Sequence, residues 1–338
     1  MSETSSATAV DVHTHVYPSE YLKYLEQRTA YPKLVHDQTE GMVIWDEGVR
    51  AGHVDAKGHV DVDFRVSFME KDCAIGTQAV SLTVPGTYEF GNESTKWAKW
   101  INDYYAKLNE KYPGKYACFM TLPLNDIGAS LDEMERAHKS LGLGGVGLFT
   151  NVQGTYLDDQ KFHPIFEKVS KLGLPIFVHP ATPIVSEFLG KYKIPVPLWG
   201  YTYETTIFFT RLVWNGVMEK FPNLNFIATH LGGFIPYQFE RIDYAFRGYS
   251  REFGYKLGKP PSVYFRRLYY DAVNFHKPAV MEAIMTFGAD RIMLGTDYAH
   301  RVGDPKRAVP NIKELPIAED DKEKILSGTA RKILRLDR

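Results

Sequence analysis

Short apolar segments alternate with longer amphipathic segments along most of the chain. The apolar segments are rich in β-branched and aromatic residues and end at polar or turn-forming residues, which predicts buried strands. The predicted strands cover residues 9–15, 78–84, 116–121, 145–149, 174–179, 224–230, 268–272 and 291–296. Apolar residues recur every three or four positions in the intervening segments, which predicts helices. These helices cover 64–72, 94–112, 129–141, 162–172, 203–221, 235–246, 278–287 and 320–334.

Strands that alternate with helices are parallel, and eight of them favour closure into a (β/α)8 TIM-type barrel. An open doubly wound sheet is the alternative, but no glycine-rich dinucleotide-binding motif follows the first strand. We expect one barrel domain over 1–338. An insertion at about 17–60 interrupts it after the first strand, because Gly48, Gly52 and Gly58 separate short apolar pieces there. This pattern is typical of a small β-rich insertion.

Composition narrows the choice of partners. The chain has 338 residues, is 44% hydrophobic and carries a formal net charge of −1. This balance predicts neither a nucleic-acid nor a membrane partner. Two cysteines, Cys73 and Cys118, are too few for a disulfide framework, and the N-terminus does not resemble a signal peptide. We therefore expect a cytoplasmic protein.

Metal-competent side chains lie at the ends of several predicted strands. His13 and His15 are two positions apart and so point to the same side of the first strand. His179, His230 and Asp297 end the fifth, sixth and eighth strands. Barrel enzymes carry their chemistry at the carboxyl ends of strands, so these side chains are expected to share one mouth. Any one of them could instead be a buried structural histidine or a helix cap. Asp271 ends the seventh strand and could equally orient a ligand histidine or cap a helix.

The same residues give a family resemblance. His-x-His on strand 1, histidines on strands 5 and 6 and an aspartate on strand 8 resemble the pattern of the amidohydrolase superfamily. The sequence motifs at 178–180, 230–233, 240–243 and 294–298 are similar to those of its decarboxylase branch, in particular the aminocarboxymuconate-semialdehyde decarboxylases. The resemblance covers nearly the whole chain.

This resemblance implies roles for individual residues. One divalent ion, usually zinc, would be held by His13, His15, His179 and Asp297. His230 would be the acid/base residue, with Asp297 beside it in the catalytic machinery. Two arginines complete the assignment: Arg241 would bind the substrate carboxylate in a neighbouring subunit, which implies a homodimer or a higher homo-oligomer, and Arg50 is a candidate for a second substrate-binding arginine.

Two features refine the metal prediction. Binuclear members need a carboxylated lysine or a glutamate on strand 4, and residues 145–149 offer neither, so one ion is expected. Aromatic-acid decarboxylases often carry a glutamate in place of the first histidine. His13 therefore favours the muconate-semialdehyde subgroup and zinc, with manganese as the alternative.

The predicted function is metal-dependent, non-oxidative decarboxylation by a carbon–carbon lyase. Its substrate would be a small unsaturated or aromatic carboxylate, such as a carboxymuconate semialdehyde or a hydroxybenzoate. A Lewis-acidic metal polarises such a substrate, and a histidine supplies the proton that replaces CO₂. One alternative is a metal-dependent hydrolase or lactonase with the same ligands. Another is a non-catalytic metal-binding barrel.

Overall fold

Eight parallel strands form the centre of the molecule. The structure is a computed structural model that describes residues 8–46 and 48–337. The strands are β1 (Ala9–His15), β2 (Ile75–Ser81), β3 (Tyr116–Met120), β4 (Gly145–Phe149), β5 (Pro175–His179), β6 (Asn225–Ala228), β7 (Tyr269–Asp271) and β8 (Ile292–Met293). Each pairs in parallel with the next along the chain, so sequence order is also spatial order.

The segment that follows β8 joins the two edges of this sheet. The Val12 amide donates to the Leu294 carbonyl at 2.9 Å, and the Asp297 amide donates to the His13 carbonyl at 2.9 Å. A parallel bridge between Thr14 and Tyr298 continues the pairing. The predicted barrel is confirmed, and the open-sheet alternative is wrong for this chain.

Helices connect successive strands and cover the outside of the barrel. Those described are Ser19–Gln27, Val62–Cys73, Ser94–Lys111, Ile127–Lys139, His163–Leu172, Ser186–Lys191, Val196–Trp214, Val217–Lys220, Phe239–Phe253, Pro261–Phe265, Lys277–Phe287, Pro305–Lys313, Glu319–Glu323 and Thr329–Leu334. The prediction of one helix over 203–221 was wrong, because the chain breaks at Gly216, whose φ is +76°. No helix among the described residues is long and apolar enough to cross a membrane.

The expected β-rich insertion lies between β1 and the helix Val62–Cys73. After the helix Ser19–Gln27 it forms an antiparallel sheet of three strands, Lys33–Asp37, Gly41–Asp46 and Val49–Val54, which we call the insertion sheet. A π-helical turn, Ala56–Val60, leads back to the barrel. Two hydrogen bonds attach this sheet to the far side of the molecule: Tyr201 donates to the Ala51 carbonyl at 2.7 Å and Thr182 donates to Asp46 at 2.5 Å.

The barrel interior is an apolar cluster contributed by seven of the strands and the last helix. Its members are Val10, Val12, Ala79, Phe119, Phe177, Ile227, Tyr269, Met293, Ala330 and Leu334. On β1 and β2, Asp11 pairs with Gln78 and Thr14 pairs with Val80. β1 therefore advances by three residues where β2 advances by two. This extra residue is a β-bulge, which changes the alternation of side chains between the two faces. It allows β1 to place Val10 and Val12 in the interior and then His13 and His15 at the mouth.

Asp11 connects β1 to the segment that follows β8, at the point where the barrel closes. Its carboxylate is fully buried and accepts hydrogen bonds from the Thr296 hydroxyl (2.5 Å), the Thr296 amide (3.1 Å) and the His13 amide (3.0 Å). We expect Asp11→Ala to lower the free energy of unfolding by about 3 kcal/mol, because it leaves these donors buried and unpaired. Urea denaturation in the presence of a chelator measures the difference without a contribution from bound metal.

The matched control is Asp132→Ala, which removes an exposed carboxylate from the helix Ile127–Lys139. This control should change stability by less than about 0.5 kcal/mol. Equal stability losses in the two variants would show that Asp11 does not hold the barrel closed.

Candidate metal centre

Three histidines and one aspartate bring their donor atoms together at the mouth of the barrel. One atom each of His13, His15, His179 and Asp297 lies within 4.8 Å of all the others, and all four side chains are buried. The Nε2 atoms of His13 and His15 are 3.0 Å apart, and Asp297 Oδ1 lies 3.2 and 3.3 Å from them. Donors that each lie about 2.1 Å from one ion are separated by roughly 3.0–3.4 Å at tetrahedral or octahedral angles. The spacing of the His13, His15 and Asp297 donors therefore fits a single divalent cation, and the His179 donor belongs to the same group.

The orientation of the three rings supports the same conclusion. Each histidine uses Nδ1 for a contact with the protein and leaves Nε2 for the centre of the group. The Nδ1 partners are Asp271 Oδ2 for His13 (2.6 Å), the Ser81 hydroxyl for His15 (3.1 Å) and the Pro180 carbonyl for His179 (3.0 Å). Such outer contacts fix the tautomer and direction of metal-binding imidazoles. In addition, Asp297 Oδ1 is buried and accepts no hydrogen bond of regular geometry from the described residues.

Asp271, at the end of β7, holds two parts of the site at once. Besides its contact with the His13 ring, the carboxylate accepts hydrogen bonds from the backbone amides of His230 (3.1 Å) and Leu231 (3.0 Å), two residues that follow β6. His230 and Leu231 both have φ of +55°, a conformation uncommon outside glycine. The sequence left the role of Asp271 open between a cap and an orienting residue, and the structure places it against a candidate ligand.

Burial and mutual charge set the protonation of the donors. Burial lowers the pKa of His15 to about 3 and that of His179 well below its usual value, so both rings are neutral at pH 7. Burial would also lower the pKa of His13, but the carboxylates of Asp297 and Asp271 outweigh it and raise this pKa to about 10. Burial would raise the pKa of Asp297, but the charge of His13 holds it well below its usual range. A cation that binds Nε2 of His13 must therefore displace a proton, so its affinity falls as the pH falls.

His230 lies beside this group without being one of the four clustered donors. Its Nε2 is 3.8 Å from Asp297 Oδ2, and its ring stacks on Tyr201 with centroids 6.2 Å apart. Its Nδ1 is buried and has no hydrogen-bond partner among the described residues. The ring is thus held by packing and by its backbone rather than by a second polar contact.

The site opens into a cavity of about 900 Å³. The two predicted arginines differ in their relation to it. Arg50, on the insertion sheet, lines the cavity, as do His179 and Asp297. Arg241 is exposed on the helix Phe239–Phe253 and is not among the lining residues of its own chain. The proposed role of Arg241 in a neighbouring site therefore stays a prediction.

Three further histidines lie near the site. His53 and His300 line the cavity, and the His300 ring lies 4.8 Å from that of His15. His59, which lies within the expected insertion at about 17–60, is fully buried with its ring 5.0 Å from that of His300. Burial lowers the pKa of His59 well below its usual value. Nothing in the local pattern around His59 distinguishes it from a surface histidine, because the π-helical turn that buries it depends on distant contacts.

Barrels that present clustered imidazoles and a carboxylate at the mouth form a class of metal-dependent proteins. Residues 10–336 match the profile of the Amidohydrolase family, so the chain belongs to this family. The chain is 28% identical over 335 residues to the 2-amino-3-carboxymuconate-6-semialdehyde decarboxylase of Dictyostelium discoideum, across 97% of this chain and 92% of that protein. The predicted family and its decarboxylase branch are thereby confirmed.

Solved structures give the same assignment. The apo form of the IDCase of Metarhizium anisopliae superposes with a TM-score of 0.88 over the whole of both chains, at 25% identity. The dihydroxybenzoic acid decarboxylase of a Polaromonas species, solved with manganese and the inhibitor 2-nitroresorcinol, has a TM-score of 0.79 at 25% identity. It covers 98% of each chain.

The contact between Asp271 and His13 gives a test of the donor group. We expect Asp271→Asn to weaken Mn²⁺ and Zn²⁺ binding by about 10- to 100-fold, the usual effect of losing the carboxylate behind a ligand histidine. Competition with a chromogenic chelator measures this affinity. Asp320→Asn, an exposed change near the C-terminus, is the control and should retain the affinity of the unmodified protein. Unchanged affinity in Asp271→Asn would contradict the assignment of His13 as a ligand.

Proposed function

We propose that this chain is a metal-dependent, non-oxidative carboxy-lyase that decarboxylates a small aromatic or unsaturated carboxylate. One observation carries the proposal: a buried group of three histidines and an aspartate, with a fourth histidine beside it, lies next to a cavity large enough for such a substrate. Two members of the group, His179 and Asp297, line this cavity. The relatives support it, because the Dictyostelium protein and the Polaromonas structure are both named decarboxylases. Their substrates, one a muconate semialdehyde and one a dihydroxybenzoate, define the range we propose.

The residues present fit a divalent ion, with His13, His15, His179 and Asp297 as its ligands. When bound, such an ion supplies Lewis acidity that polarises substrate oxygens. We propose one ion per chain, because β4 carries no bridging glutamate or lysine. Zinc is the ion that the family resemblance implies. Manganese is the ion in the Polaromonas structure, so both are candidates.

The proton step is assigned to His230. When the bond between the ring carbon and the carboxylate breaks, CO₂ leaves and the electron pair stays on the ring carbon. A proton from Nε2 of His230 then forms the new C–H bond, and Asp297 Oδ2 lies 3.8 Å from this nitrogen. Tyr201 packs against the imidazole and limits its rotation. His230 is itself buried at the mouth of the barrel.

A cytoplasmic location is part of the same proposal. Cys73 and Cys118 are both buried as free thiols, and burial raises the pKa of Cys73 to about 12. Free cysteines are typical of a reducing compartment.

The assignment of His230 gives a sharp prediction. We expect His230→Ala to keep about one metal ion per chain while turnover falls by roughly two to four orders of magnitude, the range for a positioned acid or base. Elemental analysis gives the metal content, and CO₂ release from a panel of salicylates and carboxymuconates gives the rate. His36→Ala, which removes an exposed histidine paired with Glu26, serves as the control and should leave both unchanged.

Other outcomes would give His230 one of two different roles or change the reaction assigned to the protein. Loss of metal in step with activity would make it a ligand. Full metal content with full turnover would make it a packing residue. If the unmodified protein opened the ring of a lactone and released no CO₂ from any acid, the proposed decarboxylase would instead be a hydrolase.

The proposed role of Arg241 requires at least a dimer. We expect Arg241→Ala to be nearly inactive and His13→Ala to be inactive, whereas chains mixed after denaturation and refolding recover activity. A hybrid dimer has one site with intact ligands and an intact Arg241 from its partner, so random mixing restores about a quarter of full activity. Activity assays with sedimentation measurements on the mixture test this.

Arg307→Ala, an exposed change on the helix Pro305–Lys313, is the matched control and should be active without mixing. Hybrid dimers that form without recovering activity would show that Arg241 does not act across the subunit boundary.

A further inference from the structure

Glu204 is a buried carboxylate that lies outside the metal centre and the cavity. It is on the helix Val196–Trp214 and has no exposed surface. Three neutral side chains donate to it: the Thr150 hydroxyl to Oε1 at 2.8 Å, Nδ2 of Asn151 to Oε1 at 2.9 Å and the Tyr156 hydroxyl to Oε2 at 2.9 Å. Burial raises the pKa of Glu204, and these donors offset part of the rise. Glutamate is seldom fully buried unless it is paired, so these neutral surroundings point to a role for its charge.

One of the three donors connects Glu204 to the candidate ligand His179. The Thr150 hydroxyl oxygen accepts a hydrogen bond from the amide of Ala181 at 3.0 Å, so its own proton is left for Glu204. The Ala181 amide and the Pro180 carbonyl belong to one peptide group, and this carbonyl lies 3.0 Å from Nδ1 of His179. Because a carbonyl only accepts hydrogen bonds, Nδ1 carries the hydrogen and Nε2 keeps its lone pair for a metal ion. We call Glu204, Thr150 and the peptide group 180–181 the Glu204 network.

The pairing of β4 with β5 holds the Glu204 network in register. Phe149 is the partner of His179 in the parallel ladder, so Thr150 and Ala181 follow side by side. All members of the network are buried. Hydrogen bonds that are shielded from water polarise one another, so a negative charge at one end makes the peptide carbonyl at the other end a stronger acceptor. A stronger acceptor at Nδ1 raises the electron density at Nε2 of the same imidazole.

We propose that Glu204 is a positioning residue for His179. Through Thr150 and the peptide group 180–181, it orients the imidazole and strengthens Nε2 as a metal donor. His13 receives a carboxylate directly from Asp271, whereas His179 receives one through two intermediate groups. This inference rests on the proposed function only for the assignment of His179 as a metal ligand.

The test measures the affinity of the full chain for Mn²⁺ and Zn²⁺ by competition with a chromogenic chelator, without substrate. Thr150→Val removes the hydroxyl with little change of shape, and Thr150→Ser restores it. We expect affinity to fall about tenfold in Thr150→Val, the lower end of the range for partners of ligand histidines, and to return to within about twofold in Thr150→Ser. Glu204→Gln keeps the shape of the side chain and removes its charge, so it should also lose about tenfold.

Tyr156→Phe is the matched control. It removes a hydrogen bond from the same carboxylate but lies off the path to His179. Like Thr150→Val, it should lower the urea midpoint of the metal-free protein, because each leaves Glu204 short of one donor. Unlike Thr150→Val, it should retain the metal affinity of the unmodified protein. If Thr150→Val does not fold, Glu204→Gln and Tyr156→Phe decide the same question.

Three results would overturn the proposal: full affinity in Thr150→Val, full affinity in Glu204→Gln, or an equal loss of affinity in Tyr156→Phe. His179→Ala separates this failure from that of the metal centre. Full affinity in His179→Ala would show that His179 is not a ligand, so the proposed centre and the role of Glu204 would fail together. If His179→Ala loses the metal while Thr150→Val keeps it, only the role of Glu204 fails.

Discussion

The geometry of the site depends on the hydrogen bonds that the carboxylate of Asp271 accepts. It is fully buried and accepts hydrogen bonds from Nδ1 of His13 at 2.6 Å and from the backbone amides of His230 and Leu231. A buried carboxylate is costly unless it is hydrogen-bonded, and these donors, with the amide of Val273, satisfy it. In return, it stabilises a turn in which two non-glycine residues have φ of +55°, a strain of order 1–3 kcal/mol each. The candidate ligand on β1 and the candidate proton donor after β6 are thus positioned by one group, so a displacement of either disturbs the other.

The bulge in β1 solves a second geometric problem. A regular strand would alternate its side chains between the two faces throughout, so Val10, Val12, His13 and His15 could not all face the barrel axis. With one extra residue between Asp11 and Thr14, the first half of β1 fills the apolar interior and the second half supplies two imidazoles at the mouth. Phe177, from the interior cluster, packs edge-on against His13 at 5.1 Å. The apolar interior therefore supports the candidate metal centre directly from below.

Much of this arrangement was predictable because parallel strands carry their ends to one place. The alternation of apolar runs and amphipathic segments predicted eight strands, and the residues at their ends, including His13, His179 and Asp297, do meet. Positions set by distant contacts were not predictable. His59 is buried because the π-helical turn around it is held to β1 by Arg65, which donates to the carbonyls of Gly58 and His15. The contact between Arg301 and Glu40 likewise joins residues 261 positions apart and leaves no local pattern.

The residues of the candidate metal centre and those of the outer cavity lie on different parts of the fold. The candidate histidine ligands and Asp271 lie on barrel strands, and Asp297 lies in the segment after β8 that closes the barrel, where hydrogen bonds to neighbouring strands fix the backbone. The residues around the outer cavity lie on the insertion sheet and on the loop after β8, where surface positions tolerate substitution. These outer parts are nevertheless tied to each other through Glu40, which accepts a hydrogen bond from Arg301, and the sheet is tied to the helix Val196–Trp214 through Tyr201. A change in the cavity lining can therefore leave the candidate metal ligands in place, so proteins with different substrates can share one barrel.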